Sequence, residues 1–140
     1  MSINREFKNK KGKGERILIV DDRVDIQIVL TELLKGEGYE VTHSWNGKAA
    51  ITLGREFNPQ LIIMDLMMPI MSGWDAIHEF RAETQFSNIP IIALTAVVPE
   101  KEKDSVLALG FNAYISKPFD DKELLEIIEK LLEESKDTSK

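Results

Sequence analysis

The sequence predicts a single α/β domain of the (βα)5 type, a doubly wound parallel sheet with helices on both faces. Three observations predict it. Short aliphatic runs alternate with longer segments of helical periodicity, five times over. The first, third and fourth runs are nearly continuous in aliphatic residues, as parallel strands covered on both faces must be. No linker interrupts the alternation, so the chain reads as one folding unit.

The first strand is Arg16–Val20 (RILIV). After Asp21-Asp22, residues Ile26, Val29, Leu30, Leu33 and Leu34 recur at 3.6-residue spacing and mark a helix. The second strand, Tyr39–His43 (YEVTH), alternates more, which suits a sheet edge. Asn46-Gly47 then leads into a helix carrying Ala49, Ala50, Ile51 and Leu53. The third strand is Leu61–Met64 (LIIM), and beyond it Ser72-Gly73 opens a helix with Trp74, Ile77, Phe80 and Arg81. The fourth strand is Ile89–Leu94 (IPIIAL), and its helix carries Val106, Leu107 and Leu109 and stops at Gly110, a residue suited to a helix end. The fifth strand is Ala113–Ser116 (AYIS). Asp120-Asp121 then favours a helix start before Leu124, Leu125, Ile127, Ile128, Leu131 and Leu132. Right-handed crossovers between five short strands suit the flavodoxin-like order 2-1-3-4-5, whose ligands sit beyond the carboxyl ends of the strands.

Composition narrows the function classes. At 140 residues, 43% hydrophobic and 30% charged, the chain has the size and balance of one globular domain. It has no cysteine, hence no disulfide framework, thiolate metal site or cysteine nucleophile. No apolar run is long enough to span a bilayer, and no signal-peptide core opens the chain, so a cytoplasmic protein without membrane contact is expected. The net charge of −6 is uneven. Residues 1–15 hold five Lys or Arg against two acids, leaving 13 bases against 22 acids in the remainder. That acidic body argues against direct binding of nucleic acid. Residues 1–15 read as a flexible basic tail, 16–134 as the domain and 135–140 as a second flexible tail.

The strand ends carry the chemistry. Asp21-Asp22 follow the first strand, Asp65 the third, Thr95 the fourth and Lys117-Pro118 the fifth. The second strand, the edge in this order, ends in Ser44-Trp45-Asn46-Gly47 without an acid or base. Each residue alone has a structural explanation: a helix cap, a turn aspartate, a β-branched strand residue, a solvated lysine. On four converging strand ends these explanations fail together. Three carboxylates in one pocket repel one another unless a cation joins them. Hard oxygen ligands with open positions suit Mg2+, and a lysine with a threonine hydroxyl suits a phosphoryl oxygen. Asp65, at the end of a central strand, is then the candidate nucleophile for an acyl phosphate.

The motifs ILIVDD (17–22), NGKAA (46–50), LIIMDLMMPIMSG (61–73), IIALTA (91–96), Gly110 and AYISKPF (113–119) closely resemble the receiver domain of two-component response regulators. The resemblance spans residues 16–134. It implies a phosphorylation-gated module rather than an enzyme acting on other molecules, with Asp65 accepting the phosphoryl group from a histidine kinase or histidine phosphotransfer protein. It implies that Asp21, Asp22, Asp65 and the backbone carbonyl of Met67 hold Mg2+, for which Mn2+ can substitute. Thr95 and Lys117 would bind the phosphoryl group, and the Lys117–Pro118 peptide would be cis. Thr95 and Tyr114 would form the switch, reshaping the face of the fourth helix, fifth strand and fifth helix for an unknown downstream protein. A monomer or weak dimer is expected, as a stand-alone regulator or the receiver of a hybrid kinase.

Two departures are informative. Met67, two residues after Asp65, and Val97, two after Thr95, cannot orient an attacking water, which implies a long-lived phosphorylated form. Met67 also stands where an aspartate-nucleophile phosphatase of the haloacid-dehalogenase type has its acid, which argues against that alternative. A nucleotide or flavin binder would need a Gly-rich loop after the first strand, where this chain has DDRVD. His43 and His78 lack the partners of metal ligands, Trp45 and Trp74 read as packing residues, and Met64, Met67, Met68 and Met71 read as core and site wall.

Overall fold

The computed structural model describes residues 11–96 and 102–138. Among these residues five strands alternate with five helices: β1 (Arg16–Val20), α1 (Val24–Gly36), β2 (Glu40–Ser44), α2 (Gly47–Phe57), β3 (Leu61–Met64), α3 (Gly73–Ala82), β4 (Ile91–Thr95), α4 (Lys103–Ala108), β5 (Ala113–Ser116) and α5 (Asp121–Thr138). A 3-10 turn, Thr84–Phe86, follows α3. The sheet is parallel throughout, in the flavodoxin-like order β2-β1-β3-β4-β5. β4 starts at Ile91 rather than Ile89, because Pro90 has no N–H to donate; its carbonyl accepts from Ile62. No helix among the described residues is long and apolar enough to cross a membrane.

Strand alternation divides the core in two. Leu18, Val20, Ile62, Met64, Ile91 and Ala93 pack against α2, α3 and α4 through Ala50, Ile51, Ala76, Ile77, Phe80 and Val106. Ile17, Ile19, Leu61, Ile63, Ile92 and Leu94 pack on the opposite face with Leu30, Leu34, Leu124, Leu125, Ile128 and Leu132 of α1 and α5. Each fully buried aliphatic or aromatic side chain contributes about 1.5–3 kcal/mol, so the strand ends stand on a rigid base. Side chains cap helix starts: Asn46 accepts from the Ala49 N–H, Ser72 from the Asp75 N–H, and Asp120 from the Lys122 N–H at the start of α5.

Residues 65–73 form a tight loop between β3 and α3. The Gly73 N–H donates to the Leu66 carbonyl at 3.0 Å. A Cβ on Gly73 would collide with the Asp65 carbonyl, so this approach requires glycine. Ile70, 80% exposed, takes a left-handed backbone with φ 71°. A β-branched residue is strained there.

The structure moves both tail boundaries. The Gly12 and Gly14 N–H groups donate to the carbonyls of Glu37 and Gly38 at 2.7 and 2.8 Å, and Glu15 accepts from the Glu40 N–H at 2.9 Å. Residues 12–15 therefore lie on the α1–β2 turn rather than forming a free tail. Helix α5 continues past 134 to Thr138, since the ESK stretch contains no Gly or Pro to stop it and Lys136 favours a helix C-terminus.

Arg81 ties several segments together. Its guanidinium donates to the carbonyls of Gly110 (2.6 Å), Ile89 (2.7 Å) and Phe86 (2.8 Å) and to Asn112 Oδ1 (2.8 Å). Burial pushes its pKa down. Arg81→Met is expected to lower stability by about 2–4 kcal/mol, read as a lower urea midpoint with an unchanged m-value, because it strands several carbonyls. Arg55→Met, which removes only the exposed pair with Glu83, should barely move it. Equal effects would refute the distinction.

Candidate functional site

The site lies at the carboxyl ends of β1, β3, β4 and β5. Asp21 follows β1 and stays in the sheet, its N–H donating to the Ser44 carbonyl at 3.1 Å. Asp65 follows β3, its N–H donating to the Val20 carbonyl at 2.9 Å. Backbone pairing thus brings two acids from segments 44 residues apart onto one rim. Both are buried, at 2% and 6% exposure, while Asp22 is exposed. One carboxylate oxygen from each of Asp21, Asp22 and Asp65 lies within 4.8 Å of the others.

Lys117 joins the buried pair. Its Nζ donates to Asp21 Oδ2 at 2.7 Å and to Asp65 Oδ2 at 3.1 Å. The second oxygen of each acid has a backbone donor: Arg23 N–H to Asp21 Oδ1 at 2.9 Å and Met67 N–H to Asp65 Oδ1 at 3.1 Å. Burial pushes the Asp21 carboxyl above the usual range, and Asp65 adds to the shift, while the Lys117 hydrogen bond only partly offsets it. For Lys117, burial opposes the ammonium, but the hydrogen bond and charge of Asp21, with those of Asp65, prevail and raise its pKa. One ammonium faces three carboxylates, and that excess of negative oxygen fits a divalent hard cation.

The other expected residues fall around this cluster. Thr95 ends β4, 1% exposed, and its carbonyl accepts from the Lys117 N–H at 3.0 Å. The Lys117–Pro118 peptide is cis. Tyr114 is half-buried on β5, with Lys103 Nζ 5.4 Å from its ring centroid, and packs against the α2–α4 side of the core. Met67 is 65% exposed beside Asp65, and Val97 lies outside the described residues. Met64 and Met68 are buried and Met71 is half-buried. Trp74 packs on the core, but Trp45 remains 43% exposed and meets His43 edge-on at 5.1 Å. His78 is exposed.

Sequence reasoning passed over Gln27. It is buried beside the acids and donates to the Asp21 carbonyl at 2.9 Å. A signal was present: Gln27 stands three and seven residues before Leu30 and Leu34, a polar residue on the apolar stripe of α1.

Comparison with known proteins agrees with this geometry. Residues 17–129 match the family model described as the response regulator receiver domain. The DNA-binding response regulator MtrA of Mycobacterium tuberculosis is 40% identical over 111 residues, 79% of this chain and 47% of that protein. The chain spans about half the length of the curated relatives it matches. Among solved structures, the receiver domain of the sensor histidine kinase PA1611 from Pseudomonas aeruginosa, with magnesium coordinated in its active-site cleft, superposes with a TM-score of 0.78. It is 34% identical, and the match covers 85% of this chain and 98% of that one. The chemotaxis protein CheY4 of Vibrio cholerae gives a TM-score of 0.79 at 28% identity, covering 84% of this chain and 98% of its own. With a family match running from the first strand into the last helix, the chain belongs to the response regulator receiver domains of two-component systems.

Proposed function

We propose that this receiver domain takes a phosphoryl group onto Asp65 from a histidine kinase or histidine phosphotransfer protein, in a Mg2+-dependent reaction. The observation that carries the reading is the single ammonium, Lys117, shared between buried Asp21 and Asp65 with Asp22 within reach. An oxygen of Asp65 attacks phosphorus in line; the P–O bond forms as the P–N bond to the donor imidazole breaks, and the imidazole leaves to take up a proton. Lys117 moves from the carboxylates to a phosphoryl oxygen, and the Thr95 hydroxyl donates to another. The Met67 N–H keeps the second Asp65 oxygen turned toward the loop. Asp21, Asp22, Asp65 and the Met67 carbonyl would hold Mg2+, with Mn2+ as a substitute, and the cation would offset charge on the transferred group. The magnesium in the cleft of the PA1611 receiver supports this assignment.

The readout runs through Thr95 and Tyr114. Thr95 shifts toward the phosphoryl group, Tyr114 turns into the vacated space, and the face of α4, β5 and α5 changes for a downstream protein. We infer a monomer or weak dimer acting in the cytoplasm. The MtrA relatives are named DNA-binding regulators and are about twice as long, so the expectation of no nucleic-acid contact finds no support among them.

A small-molecule phosphodonor with Mg2+ should add one phosphoryl group, read by intact mass, and Asp65→Asn should add none. An adduct that persists in Asp65→Asn, or forms equally in EDTA, would overturn the reading.

The Asp21 shift sets a pH dependence. An acid whose folded-state pKa is raised holds its proton more tightly when folded, so its neutral form favours folding. That contribution is full below the ordinary carboxyl range and is lost as pH rises through the raised value. In EDTA near neutral pH, Asp21→Asn should therefore melt a few degrees above wild type, with the gap closing on acidification. Mg2+ should raise the wild-type melting temperature more than the variant's. A gap that widens in acid would contradict the burial argument.

Met67 lies exposed beside Asp65 and offers no group to align water. Met67→Asn, alone or with Val97→Glu, should speed loss of the phosphoryl group by roughly tenfold, a barrier change of about 1.4 kcal/mol. Unchanged decay would show that these positions do not set the lifetime.

A further inference from the structure

Gln27 is 3% exposed in the first turns of α1, under the acidic cluster. Its Nε2 donates to the carbonyls of Asp21 and Ser44, both at 2.9 Å, and approaches the Ile19 carbonyl at 3.4 Å. Three carbonyl oxygens around one end of the amide identify that end as the amino group. Its Oε1 is buried and has no hydrogen-bond partner among the described residues. An unpaired buried acceptor destabilises the fold, and a methionine would fill the same space without one. The amide's contribution must therefore lie in what its donor holds.

It holds a ring of backbone. The Ser44 carbonyl accepts from both Gln27 Nε2 and the Asp21 N–H, and the Asp21 carbonyl accepts from the same Gln27 amide. This pins both ends of Asp21 and orients the peptide that joins it to Asp22. The three acids differ in their support. Asp21 and Asp65 have Lys117 and a backbone N–H apiece. Asp22 has no side-chain hydrogen bond among the described residues, so its carboxylate depends on the backbone from which it projects.

We propose that Gln27 is a positioning residue for the divalent cation, which pre-organises the acidic cluster by clamping the Asp21–Asp22 peptide to Ser44. This rests on the phosphotransfer reading of the site. Gln27 touches neither cation nor phosphoryl group and acts only through the backbone of its two partners. Losing groups that orient metal ligands commonly weakens affinity by about 10–100-fold.

The test is a Mg2+ titration of the full chain, followed by amide NMR shifts of Asp22, Asp65 and Met67 and paired with thermal melts. Gln27→Met should raise the Mg2+ dissociation constant about tenfold with little change in the metal-free melting temperature. Gln27→Asn keeps a polar amide but shortens its reach, and should raise the constant in the same direction if the methionine variant fails to fold. Leu34→Ala, a core deletion farther along α1, should lower the melting temperature and leave Mg2+ affinity unchanged. A wild-type constant in folded Gln27→Met or Gln27→Asn overturns the inference and leaves the phosphotransfer reading intact. A wild-type protein whose amides give no saturable Mg2+ response overturns both.

Discussion

The structure depends on one ammonium group. Lys117 Nζ bridges Asp21 and Asp65, residues 96 and 52 positions away in sequence, and all three are largely buried. Removing charges from water is costly, and a pair of carboxylates sharing one lysine is only half compensated. Such a cluster persists only where the surrounding framework leaves it no route to relax. The framework here is a sheet whose central strands are aliphatic on both faces, with Asp21, Asp65 and Lys117 placed at the first position beyond β1, β3 and β5. The same incomplete compensation makes the site receptive: a further cation relieves the acids, and a phosphoryl oxygen gives Lys117 a new partner.

Rigidity at Asp65 is paid for nearby. The loop after it folds back so closely that only glycine fits at position 73, and Ile70 is held in a left-handed conformation that its branched side chain disfavours. Local strain survives because the elements on either side are over-determined: β3 is wholly buried, and Ser72 caps α3. The loop therefore presents the Met67 N–H to Asp65 with little freedom to withdraw it.

Much of this was legible from the residues. Continuous aliphatic runs such as LIIM suit a strand covered on two faces, and the parallel order followed from five short strands, three of them of this kind, alternating with helices. The acids and lysine were legible because polar residues at the ends of buried strands have few structural excuses. Three features were less accessible. The tail boundaries shifted because a flexible stretch and one pinned by backbone hydrogen bonds, as at Gly12 and Gly14, share the same composition. Arg81 sat in a helical pattern, but its carbonyl partners come from Phe86 to Gly110 and appear only when the chain folds. Gln27 occupied an apolar stripe, a visible irregularity whose meaning depended on which carbonyls lay above it.

That last case alters the account of the sheet edge. The absence of an acid or base after β2 suggested that the edge strand stood apart from the site. Its side chains do, but its backbone does not. The Ser44 carbonyl receives the Asp21 N–H and the Gln27 amide, so the end of β2 is the anchor against which the acidic turn is braced. A parallel sheet leaves terminal carbonyls of this kind at every strand end, and they must find donors if buried. In this domain one side chain adds a second donor to the terminal carbonyl of the edge strand and braces the acidic turn. A strand can thus serve a site through hydrogen bonds that side-chain chemistry does not reveal, which is why reading strand-end residues alone underestimates the edge.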